Sequence, residues 1–159
     1  MVAEDAFRRT MGNFVAGVTV VTLPEPAHGI TVNSFTSLSL SPPLVLICID
    51  HDTEAYDRLD GGEPGFCVNV LAADQRPLAE FFADMRELDP GPFETERTRT
   101  AITGAPVFEE AIAYLDCAVD AAHDGGDHTI YVGAVEEVGV HRPDAPALTY
   151  FRGEWGAVE

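Results

Sequence analysis

Short runs of β-branched and apolar residues recur along the whole chain, separated by turns that contain proline or glycine. The pattern predicts about seven strands, at residues 17–23, 30–35, 42–50, 65–71, 111–122, 127–140 and 147–153. The short connection between the first two strands indicates that they pair antiparallel. Many strands and few helices favour a β-barrel or sandwich with helices packed outside, rather than alternating βαβ units.

Helical spacing of apolar residues predicts a short helix near the start of the chain. Asp5 is the expected N-cap, and Phe7, Met11 and Phe14 would then share one face. The sequence therefore predicts an amphipathic helix here.

Two further segments have the composition of short helices. Thr53 is the expected cap of residues 54–60, and Asp74 is the expected cap of a helix over residues 74–85. The apolar side of the latter consists of Leu78, Phe81 and Phe82. Residues 86–104 are polar and rich in proline and glycine, which predicts a long surface loop of a kind that is often functional.

Polar side chains are concentrated in residues 31–41, directly before the apolar strand at 42–50. One interpretation is the exposed face of an antiparallel strand followed by a Ser/Thr-rich turn. The other is a strand edge whose hydrogen-bonding groups hold a planar polar ligand or a phosphate. Neutral side chains and backbone N–H groups can bind an anion without a cation.

Three other positions are candidates for chemistry. His128 follows a Gly-Gly-Asp turn at the start of a strand, where it is either structural or in contact with a ligand, and Asp127 is interpreted as a turn residue. Arg86 is either a surface ion-pair partner or an anion clamp. Near Arg152, the aromatic residues of segment 150–155 are interpreted as packing of the last strand.

The charge of the chain excludes several classes of function. Asp and Glu number 27 against 9 basic residues, all of them Arg, so the net charge is −18. Such a chain would repel nucleic acid. A dispersed acidic surface is tolerable in molar salt, where charges are screened within about 3 Å, and the composition resembles that of halophile proteins.

The remaining sequence signals are negative. No apolar run is long enough for a membrane span, and the N-terminal residues do not resemble a secretory signal. Cys48, Cys67 and Cys117 lie in apolar strands, which predicts buried thiols and a reducing, cytoplasmic location. The chain has no dinucleotide fingerprint, P-loop, nucleophile elbow or metal-ligand spacing, so no metal is expected.

Four segments in order resemble the short-chain flavin reductase family: FRRTMGNFVAGVTVVT, GITVNSFTSLSLSPPLVLICID, FCVNVLAADQRPLAEFFA and GDHTIYVGAV. The resemblance implies a mainly β fold, an FMN-binding, Greek-key-like split β-barrel with a few short peripheral helices, as one domain over residues 1–159. It implies a homodimer with flavin at the subunit interface. It also implies reduction of FMN or FAD by NADH or NADPH, often for a partner flavin-dependent monooxygenase.

The resemblance also implies site residues by position. Along the flavin ring it places Thr31, Val32, Asn33 and Ser34, and near the ribityl phosphate it places Cys48, Ile49, Asp50 and Thr53. At the helix end that reaches the flavin it places Phe82, Ala83 and Arg86. Near the nicotinamide it places His128, Phe7, Arg8 and Tyr150, with His128 as the catalytic residue that orients the nicotinamide or neutralises charge.

Three functions remain open at this stage. The leading one is an NADH- or NADPH-dependent flavin reductase, whose cofactor carries the chemistry and which therefore needs no activated nucleophile. The second is an electron carrier or binding module with permanently bound FMN. The third is a structural subunit of an oxygenase, without flavin. His51 stands where the family commonly has a lysine that binds the phosphate. The sequence therefore leaves open whether the flavin is FMN or FAD.

Overall fold

The computed structural model describes residues 1–159 and contains more strands than the sequence predicts. The helices are α1 (Glu4–Met11), α2 (Glu54–Asp60), α3 (Arg76–Phe82) and α4 (Pro92–Thr95). The strands are β1 (Ala16–Gly17), β2 (Thr19–Leu23), β3 (His28–Val32), β4 (Phe35–Leu40), β5 (Pro43–Asp50), β6 (Gly65–Val70), β7 (Thr98–Thr100), β8 (Pro106–Phe108), β9 (Ala113–Gly125), β10 (His128–Val140), β11 (Ala147–Phe151) and β12 (Glu154–Val158). The mainly β class with few short helices is confirmed.

Seven antiparallel strands form the main sheet, in the order β3-β2-β6-β9-β10-β5-β4. The two edge strands, β3 and β4, are consecutive in the chain and are joined only by Asn33 and Ser34. Because the joint is so short, the sheet must curl until its two edges meet. The backbone N–H of Cys48 on β5 donates to the carbonyl of Ser34 at 3.1 Å, which fastens the joint to the far edge of the sheet.

The curled sheet encloses one apolar core and carries a second on its outside. Val21, Ile47 and Phe66 are among the inward residues, and Leu59 of α2 packs against them. Outside, α3 packs Leu78, Ala79 and Phe82 against Val18 and Val20. β2 is therefore buried on both faces, which explains its near-continuous run of apolar and threonine residues.

Several predicted element boundaries differ from those of the structure. The strand predicted at 30–35 ends at Val32, and the polar segment after it forms β4, whose Ser and Thr side chains are mostly exposed. The segment after β11 turns back as an unpredicted strand, β12, and the 86–104 loop contains α4 and β7. No helix is long and apolar enough to cross a membrane.

Two of the three predicted helix caps are also wrong. Thr53 caps α2 as predicted, since its hydroxyl accepts the N–H of Tyr56 at 3.1 Å. Asp5 lies inside the first turn of α1 instead of before it. Asp74 lies in a 3₁₀ turn (Ala73–Gln75) that precedes α3, and its carboxylate accepts two hydrogen bonds from Arg142, at 3.0 and 2.8 Å.

Candidate functional site

The joint between the sheet edges brings several predicted site residues together. The hydroxyl of Ser34 donates to the carbonyl of Cys48 at 2.9 Å, and Asp50 lies two residues further along β5. In the register of the sheet, Asp50 is directly opposite His128 on β10. Cys48 is only half-buried, whereas the predicted burial holds for the other two cysteines. Cys48, Ile49 and Asp50 thus form a continuous row at the end of β5, with Ser34 beside Cys48 and His128 beside Asp50.

Two predicted residues of this region point into the core instead. The side chains of Val32 and Ile49 are 4% and 1% exposed, because strand alternation turns them inward. Only their backbone atoms can reach a ligand. Thr31 is also engaged, since its hydroxyl donates to the carbonyl of Ala79 at 2.6 Å and ties β3 to α3.

A cavity of about 630 Å³ opens beside the joint, and we call it the first groove. Its walls come from the end of α1, from β1 and the start of β2, from the joint and from the β11–β12 turn. It is lined by Met11, Gly12, Phe14, Val15, Ala16, Gly17, Val18, Thr19, Asn33, Ser34, Phe35, Val70, Tyr150, Arg152 and Gly153. Of the predicted site residues it contains Asn33, Ser34 and Tyr150.

The first groove fits a flat, largely apolar ligand with a polar edge. Phe14 and Val15 are 75% and 51% exposed there, so their apolar surface is uncovered in the single chain. The Asn33 side chain has no hydrogen-bond partner within the chain, which leaves both its amide donor and acceptor for a ligand. A flavin ring, with its carbonyls and ring nitrogens, matches this chemistry.

A second groove, of about 730 Å³, lies on the other side of β3 between the start of α2 and the end of α3. It contains three further predicted residues, Thr53, Phe82 and Arg86. Phe82 lies flat against the backbone at Gly29, where an added Cβ would stand 2.7 Å from the ring. Only glycine permits this close approach. The predicted flavin residues are thus divided between two grooves.

The hydrogen-bond donors of the predicted flavin residues at the second groove are mostly engaged within the chain. Arg86 donates through Nε and Nη2 to Glu80 at 3.2 and 3.0 Å. The hydroxyl of Thr53 donates to the carbonyl of Asp50 at 2.7 Å, and the N–H of Ala83 donates to the carbonyls of Ala79 and Glu80. Only Nη1 of Arg86 lacks a partner, so the other donors could bind an anion only after rearrangement.

The second groove is also strongly acidic. Its lining includes five carboxylates and only one guanidinium; the acids are Asp52, Glu54, Asp84, Glu87 and Asp89. The sequence pattern does not reveal this cluster, because the acids come from separate segments. It shows only that the chain has no lysine to neutralise them. A phosphate in this groove would meet like charges, so this part of the predicted site fits the cofactor poorly.

His28 at the edge of the second groove makes stability depend on pH. Burial lowers the pKa of His28 below its ordinary value of 6.5, despite the Glu54 carboxylate 2.8 Å from its ring. Below that value the unfolded chain takes up a proton that the folded protein resists, so His28 reduces stability as the pH falls from 7 towards 5. We expect His28→Asn to weaken this loss, measured as the urea midpoint at both pH values. An identical pH dependence in the variant would contradict the prediction.

His128 lies outside both grooves and is oriented by the adjacent Asp127. Its Nδ1 lies 2.7 Å from the carboxylate of Asp127, and this hydrogen bond lowers the pKa of Asp127. The interpretation of Asp127 as only a turn residue is therefore incomplete. His51 lies alongside: its Nε2 is 2.9 Å from the hydroxyl of Thr129, and its ring packs on Tyr56.

The four predicted nicotinamide residues do not meet in one chain. Tyr150 lines the first groove, whereas His128 lies outside the lining of both grooves. Phe7 and Arg8 project from α1, a helix that buries none of its residues. Phe7 is 62% exposed, and Met11 and Phe14 of the same predicted face are also exposed. The predicted face is confirmed only for Phe7 and Met11, since α1 ends at Met11 and Phe14 lies beyond it. This apolar surface has no partner within the chain.

Comparison with known proteins identifies the family. A family model described as "Flavin reductase like domain" matches residues 11–159. The chain belongs to this family. The resemblance found in the four sequence segments is therefore confirmed over nearly the whole chain.

Individual members of the flavin reductase family are similar in sequence and structure. An NADH-dependent FAD reductase of Streptomyces globisporus is 46% identical over 133 residues, covering 80% of this chain and 71% of the relative. The reductase subunit HsaB of a flavin-dependent monooxygenase of Mycobacterium tuberculosis is 35% identical, covering 96% and 81%. The solved NADH:FAD oxidoreductase of Streptomyces globisporus C-1027, in complex with NAD and FAD fragments, has a TM-score of 0.87 at 39% identity, covering 98% and 94%.

Proposed function

We propose that this protein reduces FMN or FAD with NADH or NADPH and supplies the reduced flavin to a partner monooxygenase. The observation that carries the proposal is the family match over residues 11–159, together with relatives whose names state NADH-dependent flavin reduction and a monooxygenase reductase subunit. The absence of a nucleophile motif is consistent with a reaction whose chemistry resides in the cofactor.

The first groove is the proposed place of the flavin ring. A bound flavin accepts hydride from the nicotinamide, so the protein has to hold two rings in contact and exclude water. Phe14 and Val15 offer an apolar wall, and the free Asn33 amide can bind the polar edge of the ring. Ser34 and the row Cys48–Asp50 fix the position of Asn33 through the bonds of the joint.

The remaining predicted site residues are proposed to act at the margins of the ring. Thr31, Val32 and Ile49 shape the floor of the joint, the latter two through their backbone. Thr53, Phe82 and Arg86 in the second groove, with Ala83 beside it, would contact the flavin only after the hydrogen bonds to Asp50, Glu80 and Ala79 rearrange. His128, Phe7, Arg8 and Tyr150 would contact the nicotinamide once a second subunit brings them together.

A homodimeric split β-barrel is the proposed assembly. The exposed apolar surface made by Phe7 and Met11 of α1 and by Phe14 after the helix needs a covering surface, and His128 is separated from the other nicotinamide residues in one chain. A second copy could satisfy both needs. We place the protein in the cytoplasm, in keeping with three free cysteines. Light scattering in molar salt that gives a monomer mass would contradict the assembly.

Stopped-flow oxidation of NADH tests the function directly. The reductase is expected to oxidise NADH rapidly only when FMN or FAD is present in excess. A permanently yellow protein that is reduced once and does not turn over free flavin would indicate the electron carrier instead. A protein that binds no flavin at all would indicate a structural subunit, and both outcomes would overturn the proposal.

Replacing His128 tests its proposed role at the nicotinamide. We expect His128→Ala to lower kcat/KM for NADH roughly tenfold, which corresponds to the loss of one charge-assisted hydrogen bond. The affinity for oxidised flavin should change little. His123→Ala, on the neighbouring strand β9 opposite Ile130, is the matched control. If both variants have wild-type kinetics with NADH, His128 has no such role.

A further inference from the structure

The arginines of this chain are unevenly engaged with its many carboxylates. Seven of the nine have a carboxylate oxygen within 4.0 Å; they are Arg8, Arg58, Arg76, Arg86, Arg97, Arg99 and Arg142. Arg9 and Arg152 have none, although they are 143 positions apart in the chain and the acids outnumber the arginines threefold. Both line the same cavity of about 460 Å³.

This cavity, which we call the basic pocket, has no apolar residue in its lining. It consists of Asp5, Arg8, Arg9, Gly12, Asn13, Arg152 and Gly153. Asp5 is 3.6 Å from Arg8 and offsets one of the three positive charges. The pocket thus carries an excess of positive charge on a protein with a net charge of −18.

Hydrogen bonds between distant segments build the basic pocket. The backbone N–H of Arg152 donates to the carbonyl of Gly12 at 2.9 Å, and its Nε donates to the Asn13 side chain at 2.9 Å. The Asn13 amide in turn donates to the carbonyls of Arg9 and Thr10, at 3.0 and 3.3 Å. The last carbonyls of α1 are therefore occupied, and the terminal guanidinium nitrogens of Arg152 remain free.

The backbone at Arg152 gives a second reason to assign it a role. Arg152 and Gly153 form the two-residue turn between β11 and β12, with φ of 52° and 76°. This turn favours Asn, Asp or Gly at its first position, and the left-handed conformation is unfavourable for other residues. The Arg152 guanidinium lies 4.6 Å from the centre of the Phe151 ring, a contact that orients the side chain but uses none of its N–H donors. A turn residue that is unfavourable for the backbone and keeps free donors is therefore a candidate for ligand binding.

Helix α1 accounts for only part of the arrangement. Arg8 and Arg9 lie in its last turn, where positive charges stabilise the helix dipole. That effect explains the sign of the two charges but not their convergence with Arg152. Arg9 is also roughly 200° around the helix from Phe7 and Met11, so the proposed dimer face does not cover it.

The basic pocket is continuous with the first groove. The two cavities share Gly12, Arg152 and Gly153 in their linings. We propose that Arg9 and Arg152 form the subsite for the diphosphate of a dinucleotide whose ring lies in the first groove. Guanidinium groups bind phosphate oxygens in pairs, and a diphosphate offers oxygens to both arginines. The proposal rests on the proposed function for the identity of the ring, and both NADH and FAD carry this diphosphate.

Calorimetric binding of ADP-ribose, a diphosphate without a nicotinamide or flavin ring, tests the subsite. The wild-type protein should bind it, and Arg9→Gln and Arg152→Asn should each weaken the affinity at least about threefold at the same salt concentration. Asparagine suits the turn, so Arg152→Asn should remain folded. Arg97→Gln, which removes an exposed arginine outside all three cavities, is the matched control and should bind normally.

Further ligands distinguish the two sources of the diphosphate. If NADH uses the subsite, KM for NADH rises in both variants, while Arg9→Gln, whose residue lies outside the first groove, keeps its turnover with the phosphate-free donor 1-benzyl-1,4-dihydronicotinamide. If FAD uses it, FAD binding weakens while FMN and riboflavin binding do not. No ADP-ribose binding by the wild type, or equal losses in Arg97→Gln, would overturn the subsite. ADP-ribose binding without flavin reduction would overturn only the proposed function.

Discussion

The melting temperature of this protein is expected to rise steeply between low salt and molar KCl. Only nine arginines face 27 acidic residues, and most of these arginines are already paired, so many carboxylates repel one another without compensation. Screening within about 3 Å in molar salt removes most of this repulsion. We expect the free energy of unfolding to increase by about 4 kcal/mol, which raises the melting temperature of a chain of this size by roughly 10 °C.

The form of the salt dependence separates screening from other effects of salt. Screening is largely complete once the Debye length falls below the spacing of surface charges, whereas excluded cosolvents strengthen burial progressively. The rise should therefore be steepest at low salt, and sucrose at equal osmolality should give a smaller, more linear increase. A melting temperature that stays flat from low to molar KCl would refute both the prediction and the halophilic origin.

The second large effect is expected at Asp116, a fully buried carboxylate on β9 far from the proposed site. Its oxygens accept the N–H of Thr103 at 2.9 Å and the hydroxyl of Thr103 at 2.6 Å, which anchors the loop before β8. Asp116→Ala would leave these donors unsatisfied, so we expect the free energy of unfolding to fall by about 3 kcal/mol. Urea denaturation in molar salt measures this loss.

A matched variant shows whether the effect comes from hydrogen bonding. Asn preserves the volume of Asp116 and one acceptor, so Asp116→Asn should lose about 1 kcal/mol. Residues 101–105 line neither groove, and flavin reduction at a permissive temperature should therefore be unchanged in both variants. Equal stability of Asp116→Ala and the wild type would contradict the anchoring role.

The sequence predicts the core strands well because burial imposes a periodic pattern on them. The apolar run of β2 and the alternation of β5 reflect packing inside the curled sheet. β4 was missed because it is an edge strand with exposed Ser and Thr side chains, a pattern shared with turns. The cap at Asp74 was mistaken because its carboxylate binds Arg142, a partner 68 positions away that no local pattern reveals.

The candidate site was predictable only in part. The joint residues Asn33 and Ser34 were found because their polarity is conspicuous beside an apolar strand. The acids of the second groove and the pairing of Arg9 with Arg152 in the basic pocket were not found, because each set is assembled from distant segments. Which donors are engaged is a further property of the folded chain: Nε and Nη2 of Arg86 bind the Glu80 carboxylate, whereas Arg152 has no carboxylate partner.

The joint at Asn33–Ser34 links ligand binding to the mechanical integrity of the sheet. The reciprocal hydrogen bonds between Ser34 and Cys48 extend the β4–β5 pairing into the joint and hold its second residue in place. A ligand that rests on Asn33 and Ser34 binds only the closed arrangement and so stabilises it by mass action. A bound flavin would therefore stabilise the closed barrel against local opening at the joint.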